Sequence, residues 1–467
     1  MVTPIDPSSS AFLFAESVST PMHVGGLHLY KRPPGAGNDF AREMYEQFRS
    51  VEEVAPLFKR HPSRGITTAG QWVWREDDQF DIEHHVRHSA LPQPGRVREL
   101  LDLVSRLHGT KLAYERPLWE AHVIEGLKDG RVGLYTKMHH ANVDGVSAMR
   151  LLQKVLDSDP ERREMPPPWA KRPPRAKVQR AQTDAEHSIT DLPISALRQA
   201  LGMAADAAGL PGALATTLRR GMRNETGAVS FAAPRTILNR QISGARRFAA
   251  EDFDMGRIRA IGKNTGATVN DIVLAMCGGA LRTYLLELDA LPDTTLISMC
   301  PVSLHAKSTN PDKDGGNAVG AVMVKLGTDI DDPELRLKQI QINMRDGKQA
   351  MSAMTPLQIM ASSAIGMSPV ILNPITKGGG PLRPPFNVII SNVPGPRTTQ
   401  YFNGAELVGM YPLSIPFHGQ ALNITCASYA DNLAFGLTGC RRTVPHLQRL
   451  LTHLETELVA LEKAACV

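Results

Sequence analysis

What this 467-residue chain lacks narrows its chemistry before any motif is read. Cysteine is scarce: Cys277, Cys300, Cys426, Cys440 and Cys466 are odd in number and form no CxxC pair. That pattern argues against a disulfide framework or a cysteine metal site, and points to reduced, mostly buried thiols of a cytoplasmic protein. No run approaches the ~18 consecutive apolar residues of a membrane span. The N-terminus has no basic stretch followed by an apolar core, so no secretory signal is expected. Met1-Val2-Thr3 lacks the glycine that myristoylation needs. No GxSxG occurs, and Gly378-Gly-Gly380 lacks the rest of a phosphate-cradling loop. No repeat with a period of about 20–50 residues is visible, which excludes solenoids. Charge of one sign is not in large excess either. A net +5 suits anionic substrates or an anionic membrane surface but is too diffuse for nucleic acid.

What is present is the composition of a globular protein, 42% apolar and 21% charged, long enough for two or three domains. Within it one run stands out: His139-His140-Ala141-Asn142-Val143-Asp144-Gly145, or HHxxxDG. The preceding residues 131–138 alternate as a strand, with Val132, Leu134, Thr136 and Met138 on one face. His140 continues that face and His139 points the other way, so the pleat gives the two imidazoles different surroundings. One can be wedged structurally while the other opens into a cavity as a base. Residues 146–156 have helical spacing, which puts the motif on a strand-to-helix turn. Histidine, with an ordinary pKa of about 6.5, can take a proton from an attacking alcohol or thiol. Asp144 can hold the turn through an arginine or orient an imidazole, and Gly145 leaves room for a substrate or a close backbone approach.

Residues 1–156 form a first mixed α/β domain. Residues 157–190, dense in proline and charge, are expected to be an exposed linker. A connecting helical segment, 191–230, is Ala/Leu-rich over 192–222 and follows; it packs against the body or lies on a membrane surface. From 231 to 467 runs a second mixed domain. In it a helix starts at Thr268 or Asn270, strands occupy 296–302, 317–324 and 386–391, and Asn392-Val-Pro-Gly-Pro396 makes a rigid turn. Leu447, Leu451, Leu454, Leu458 and Leu461 form the packing stripe of a terminal helix.

With these pieces placed, the chain resembles the bacterial wax ester synthase/diacylglycerol acyltransferase family. Besides HHxxxDG, the resemblance rests on Pro4-Ile-Asp-Pro, Phe12-Leu-Phe-Ala-Glu16, Pro21-Met-His-Val-Gly-Gly26 and Arg116-Pro-Leu-Trp-Glu120. Further on come Pro234-Arg-Thr236 with Asn239, Val269-Asn-Asp-Ile272, Pro301-Val-Ser303 and Ser391-Asn-Val-Pro-Gly-Pro396, in the family's order. The match spans essentially the whole chain, with a variable stretch at about 157–230. It implies an α/β fold of two chloramphenicol-acetyltransferase-like domains around a central substrate channel, with HHxxxDG at their interface. It further implies acyl-CoA as co-substrate, with no permanently bound cofactor and no metal. The acceptor would be diacylglycerol or a long-chain fatty alcohol, and the product triacylglycerol or wax ester stored in cytoplasmic lipid bodies.

On that resemblance and the strand argument, His140 is the general base. His139 and Asp144 are architectural, and Gly145 leaves space beside them. Trp119 and Glu120 line the channel or pack the neighbouring strand; Asn270 and Asp271 serve substrate binding or cap a helix. Met351, Met354, Met360 and Met367 fill core gaps or an acyl channel. Glu83-His84-His85-Val-Arg-His88 has no aspartate-glycine at the required offset and reads as a surface or strand segment. Access to insoluble acceptors without a membrane span implies peripheral contact with the inner membrane face or lipid bodies. Two other functions stay open here: a condensation-type acyltransferase acting on another acceptor, because those relatives also use HHxxxDG, and a catalytically silent scaffold on lipid bodies.

Overall fold

A computed structural model describes residues 2–143, 145–172, 233–303, 319–352 and 383–467, with Met354 and Gln358. Asp144, the segment 191–230, Gly378-Gly-Gly380, Met360 and Met367 lie outside the described residues. Among those residues, strands form two six-stranded sheets and one of three strands. The first sheet runs Tyr401–Phe402 (β12), Ala405–Leu413 (β13), His23–Lys31 (β2), Val132–His139 (β7), Trp119–Glu125 (β6) and Val86–Ala90 (β5). The second runs Val319–Lys325 (β10), Ile297–Ser303 (β9), Val388–Val393 (β11), Leu422–Tyr429 (β14), Asn432–Cys440 (β15) and Arg246–Asp254 (β8). The small sheet is Thr3–Pro4 (β1), Val73–Glu76 (β4) and Arg60–Ser63 (β3).

The strand expected before the motif is β7, between β2 and β6. It is covered on both sides. Val132, Leu134 and Met138 join one apolar cluster and Tyr135 another. The helix expected after the motif is Gly145–Gln153 (α5). In the second half, Thr268 caps the helix Val269–Leu286 (α7). By length and mean hydropathy that helix could cross a membrane, although Asn270, Asp271 and Arg282 interrupt its apolar run, and most of it is buried in the core. Leu450, Leu454, Leu458 and Leu461 of the terminal helix Arg449–Ala464 are buried against the same core. Each such leucine contributes about 1.5–3 kcal/mol of burial. Four of the five cysteines are buried thiols and Cys466 is exposed; all are unpaired.

Two features depart from the sequence division into halves. β12 and β13 come from the C-terminal part of the chain but complete the first sheet, with β13 antiparallel to β2. Gly436 of β15 makes this exchange possible, because a Cβ there would collide with the carbonyl of Pro412 at the end of β13. Secondly, the proline-rich stretch is exposed from Ser158 to Glu164 but packs onto the body from Met165 to Ala170. Val54 bridges Ala170 and Asp157 bridges Tyr401. Met165 and Trp169 are buried, and Trp169 packs against Phe48 and Trp119. Prolines stiffen the strap, and two large side chains give it enough apolar area to hold.

His23, His28, His85 and His108 are held neutral inside the fold, His23 by burial that takes it well below its ordinary value. Burial pushes His28 and His85 down to about 4 and His108 to about 3; for His85 and His108, bonds to the carbonyls of Trp119 and Ser414 only partly oppose it. The unfolded chain therefore binds protons from about pH 6.5 downward, while the folded chain does not until pH 3–4. Stability is complete above pH 6.5 and is lost as pH falls, by about 2 kcal/mol per histidine at pH 5. Melting temperatures should fall steeply between pH 7 and 5. A flat profile would contradict the buried, neutral assignment.

Candidate active site

β7 ends at His139, and the two motif histidines part there as the pleat requires. His139 is fully buried. Its Nδ1 accepts the Ala141 N–H at 3.0 Å. A backbone amide can only donate, so the imidazole proton sits on Nε2. That nitrogen faces Glu16 Oε1 at 3.5 Å, both side chains having no solvent exposure. Tyr114 meets the ring edge-on, its centroid 6.1 Å away. Glu16 is otherwise occupied as well. Its Oε1 accepts the Met22 N–H at 2.9 Å, and Oε2 lies 3.3 Å from Lys111 Nζ. Burial alone would push this carboxyl up, but its interactions with His139 and the Met22 amide outweigh it and hold it below the usual range.

His140, the first residue past the strand, is half-buried. Its N–H extends the β2–β7 ladder to the Met22 carbonyl at 2.8 Å. Its ring stacks on Phe12, with centroids 4.1 Å apart and planes 20° apart. Phe12 comes from the helix Pro7–Ala15 (α1) and packs with Met22, Val24, Ala148, Ile415 and Phe417. Phe417 also touches the cluster of Ile297, Met323 and Phe386 on the second sheet. His140 thus stands where the two halves meet, with its imidazole plane fixed from one side. At Gly145, which opens α5, a Cβ would meet nothing within 4 Å. Among the described residues, no neighbour demands glycine there. Asn142, inside the motif, has both polar amide atoms buried without a hydrogen-bond partner among the described residues. Such a group is costly unless something polar completes it.

The remaining sequence candidates are placed elsewhere. Trp119 is core: its indole N–H donates to the Phe58 carbonyl at 2.8 Å, and the ring stacks on His85 and Trp169. His85 is therefore a buried brace, and its segment runs on into a strand, β5, one of the two readings the sequence allows. Glu120 lies 3.1 Å from Lys137 Nζ, 3.3 Å from His122 and 3.7 Å from Arg87. Burial would raise its pKa, but the His122 bond and the charges of Lys137 and Arg87 pull it down to about 2. Asp271 Oδ2 accepts from the Thr268 amide and hydroxyl at 2.9 and 2.7 Å, a capping box, and the Asn270 amide donates to Met344 Sδ at 3.9 Å. Gly395 of the Pro-Gly-Pro turn packs so closely on Ser428 that a Cβ would strike its carbonyl. Among the described residues, no group of His, Cys, Asp and Glu side chains is arranged to hold a metal ion.

Phe12 and Glu16 are the site residues that sequence reasoning left without a role. Both lie in the N-terminal segment quoted for the resemblance, and only the fold carries them to the motif.

The family model of the wax ester synthase/diacylglycerol acyltransferase catalytic domain matches residues 5–273, and that of the family's C-terminal domain matches residues 315–462. The chain belongs to this family. It is 47% identical over 459 residues to a Mycobacterium tuberculosis (strain H37Rv) protein named "probable diacylglycerol O-acyltransferase", covering 98% of each chain. The solved structure of a wax ester synthase/diacylglycerol acyltransferase from Marinobacter aquaeolei VT8 superposes with a TM-score of 0.77 at 40% identity, covering both chains fully. A condensation domain of the calcium-dependent antibiotic synthetase matches with a TM-score of 0.58 at 15% identity, over all of this chain and 96% of its own. That second likeness is one of fold. It confirms the two-domain α/β architecture implied by the resemblance. The protein is an acyltransferase of the wax ester synthase/diacylglycerol acyltransferase family.

Proposed function

We propose that this acyltransferase moves a fatty acyl group from acyl-CoA to the hydroxyl of diacylglycerol or a long-chain alcohol, with His140 as general base. The observation that carries the reading is the unequal fate of the two histidines. His139 is sealed against Glu16, while His140 is half-open at the meeting of the halves and steadied by Phe12. In a ternary complex the His140 imidazole takes the acceptor's proton as its oxygen attacks the thioester carbonyl. The C–O bond forms, the C–S bond breaks, and the imidazolium returns the proton to the CoA thiolate. Positioned proton transfer of this kind contributes about 10²–10⁴-fold. A thiolate leaves readily, so no covalent acyl-enzyme is required.

In this reading Asp144 anchors the loop and Gly145 leaves room for the reacting carbonyl. Trp119 and Glu120 brace the motif strand beneath the substrates, and Asn270 and Asp271 shape the far wall from their helix cap. The acceptor's insolubility places the working enzyme on the inner membrane face or on lipid bodies, held peripherally. The test is CoA release from palmitoyl-CoA with dioleoylglycerol, with hexadecanol, and with neither. Release that requires an acceptor supports transfer and ranks the two alcohols. Release indifferent to acceptor, or none, would overturn the reading in favour of another acceptor or a silent lipid-body scaffold.

A further inference from the structure

The small sheet beside α1 exposes side chains that a water-facing surface would not select. Ile66 is 100% exposed and Phe14, near the end of α1, is 61% exposed. Ile66 sits at the tip of the β3–β4 hairpin, on an ordered turn. The Thr68 hydroxyl accepts the Gly65 N–H at 3.1 Å and lies 2.8 Å from the Gln71 carbonyl, and Ala69 takes the left-handed conformation at φ 49°. The chain thus spends structure on presenting an isoleucine to solvent. Behind it, Trp72 meets Phe14 edge-on at 6.0 Å, and the Arg64 guanidinium lies 5.2 Å from both ring centroids.

Charge decides what such a face suits. Around the tip, from Ser63 to Trp72, there is no aspartate or glutamate and Arg64 is the charged side chain, while the acids Glu76, Asp77 and Asp78 lie at the far end of the hairpin, where Glu76 pairs with Arg60. A cation beside an aromatic pair, with a projecting aliphatic tip, matches the boundary between anionic headgroups and acyl chains. One projecting isoleucine and the rim of two aromatic rings fall well short of the roughly 800 Å² per partner of a stable protein interface. Shallow insertion into lipid needs no such area. The face is also joined to the chemistry, because the helix that carries Phe14 outward carries Phe12 onto His140. Helix α1 is about 10 Å thick.

We infer that the face formed by Phe14, Arg64, Ile66 and Trp72 docks on an anionic phospholipid surface, and that the acceptor lipid reaches His140 from this side. The inference rests on the lipid acceptor proposed above. It is tested by sedimenting the full chain with phosphatidylcholine vesicles, with and without phosphatidylglycerol. The variants are Ile66→Asp and Arg64→Glu, with Leu335→Asp, an exposed leucine of the second half, as control. Acyl transfer is followed in parallel to vesicle-embedded dioleoylglycerol and to dissolved hexanol. Ile66→Asp should cut vesicle binding about tenfold, and Arg64→Glu should remove the preference for phosphatidylglycerol by a similar factor. Transfer to embedded dioleoylglycerol should fall in step, and transfer to hexanol should not change. Wild-type sedimentation by both variants, equal damage from Leu335→Asp, or a wild type that ignores both vesicles would overturn the docking face. Vesicle binding that depends on Ile66 and Arg64, in a wild type that acylates neither acceptor, would uphold the face while the acyltransfer reading fell.

Discussion

Replacing His140 with alanine should lower acceptor-dependent CoA release by about 10²–10⁴-fold while leaving the melting temperature near that of the wild type. Both halves of that expectation come from the geometry. The side chain is half-buried and stacks on Phe12, whereas the bond that joins His140 to β2 is made by its backbone and survives the substitution. His139→Ala should behave in the opposite manner. It removes a fully buried imidazole, leaves the Glu16 carboxylate facing a cavity, and should cost several kcal/mol of stability, as truncation of a large buried ring beside a buried polar group does. Two adjacent histidines would then separate cleanly, one in turnover and the other in thermal stability. Equal loss of stability in both variants, or retained transfer in His140→Ala, would remove the base from His140.

That division between the histidines was legible in the sequence because it is local. A period of two through Val132, Leu134, Thr136 and Met138 fixes the side to which each imidazole turns, and a helical period after Gly145 fixes the turn between them. Thr268 was legible for the same reason, since a cap is a matter of three residues. The architecture around the site was not. β13 joins β2 across nearly the whole chain, and no local period shows which sheet a strand enters. Trp169 lies in a stretch whose proline and charge content suggests exposure, but one large aromatic side chain is enough to pin the strap. His85 looks polar in sequence and is buried because the Trp119 carbonyl and two aromatic rings satisfy it. Glu16 is the sharpest case. It stands 123 positions before His139, and only the pairing of β2 with β7 brings the two together.

Glu16 also carries the second large effect. In Glu16→Leu the Met22 N–H loses its acceptor in a dry interior, at about 1–3 kcal/mol, and the His139 Nε2 loses the carboxylate it faces. The loss should extend to turnover. Met22 binds the Glu16 carboxylate through its N–H and His140 through its carbonyl, so one residue links the buried acid to the base. A shift of about 1 Å in the base is enough to cost about 10²-fold, and the fall should be in kcat with the KM for acyl-CoA nearly unchanged. Glu16→Gln separates shape from charge. The glutamine oxygen can still accept the Met22 N–H and face the His139 ring, and Lys111, whose side chain is 35% exposed, can turn its ammonium to water. This variant should therefore retain most of the activity that leucine destroys. Its remaining stability deficit has a defined pH dependence. The carboxyl is held below its ordinary value of 4.5, so the charge stabilises the fold above that pH and ceases to do so as pH falls through the folded value. The gap in melting temperature between wild type and Glu16→Gln should accordingly be widest near neutrality and close below about pH 4.5. A gap that is constant with pH would mean that Glu16 acts by packing alone. Full turnover in Glu16→Leu would mean that the base is positioned without it.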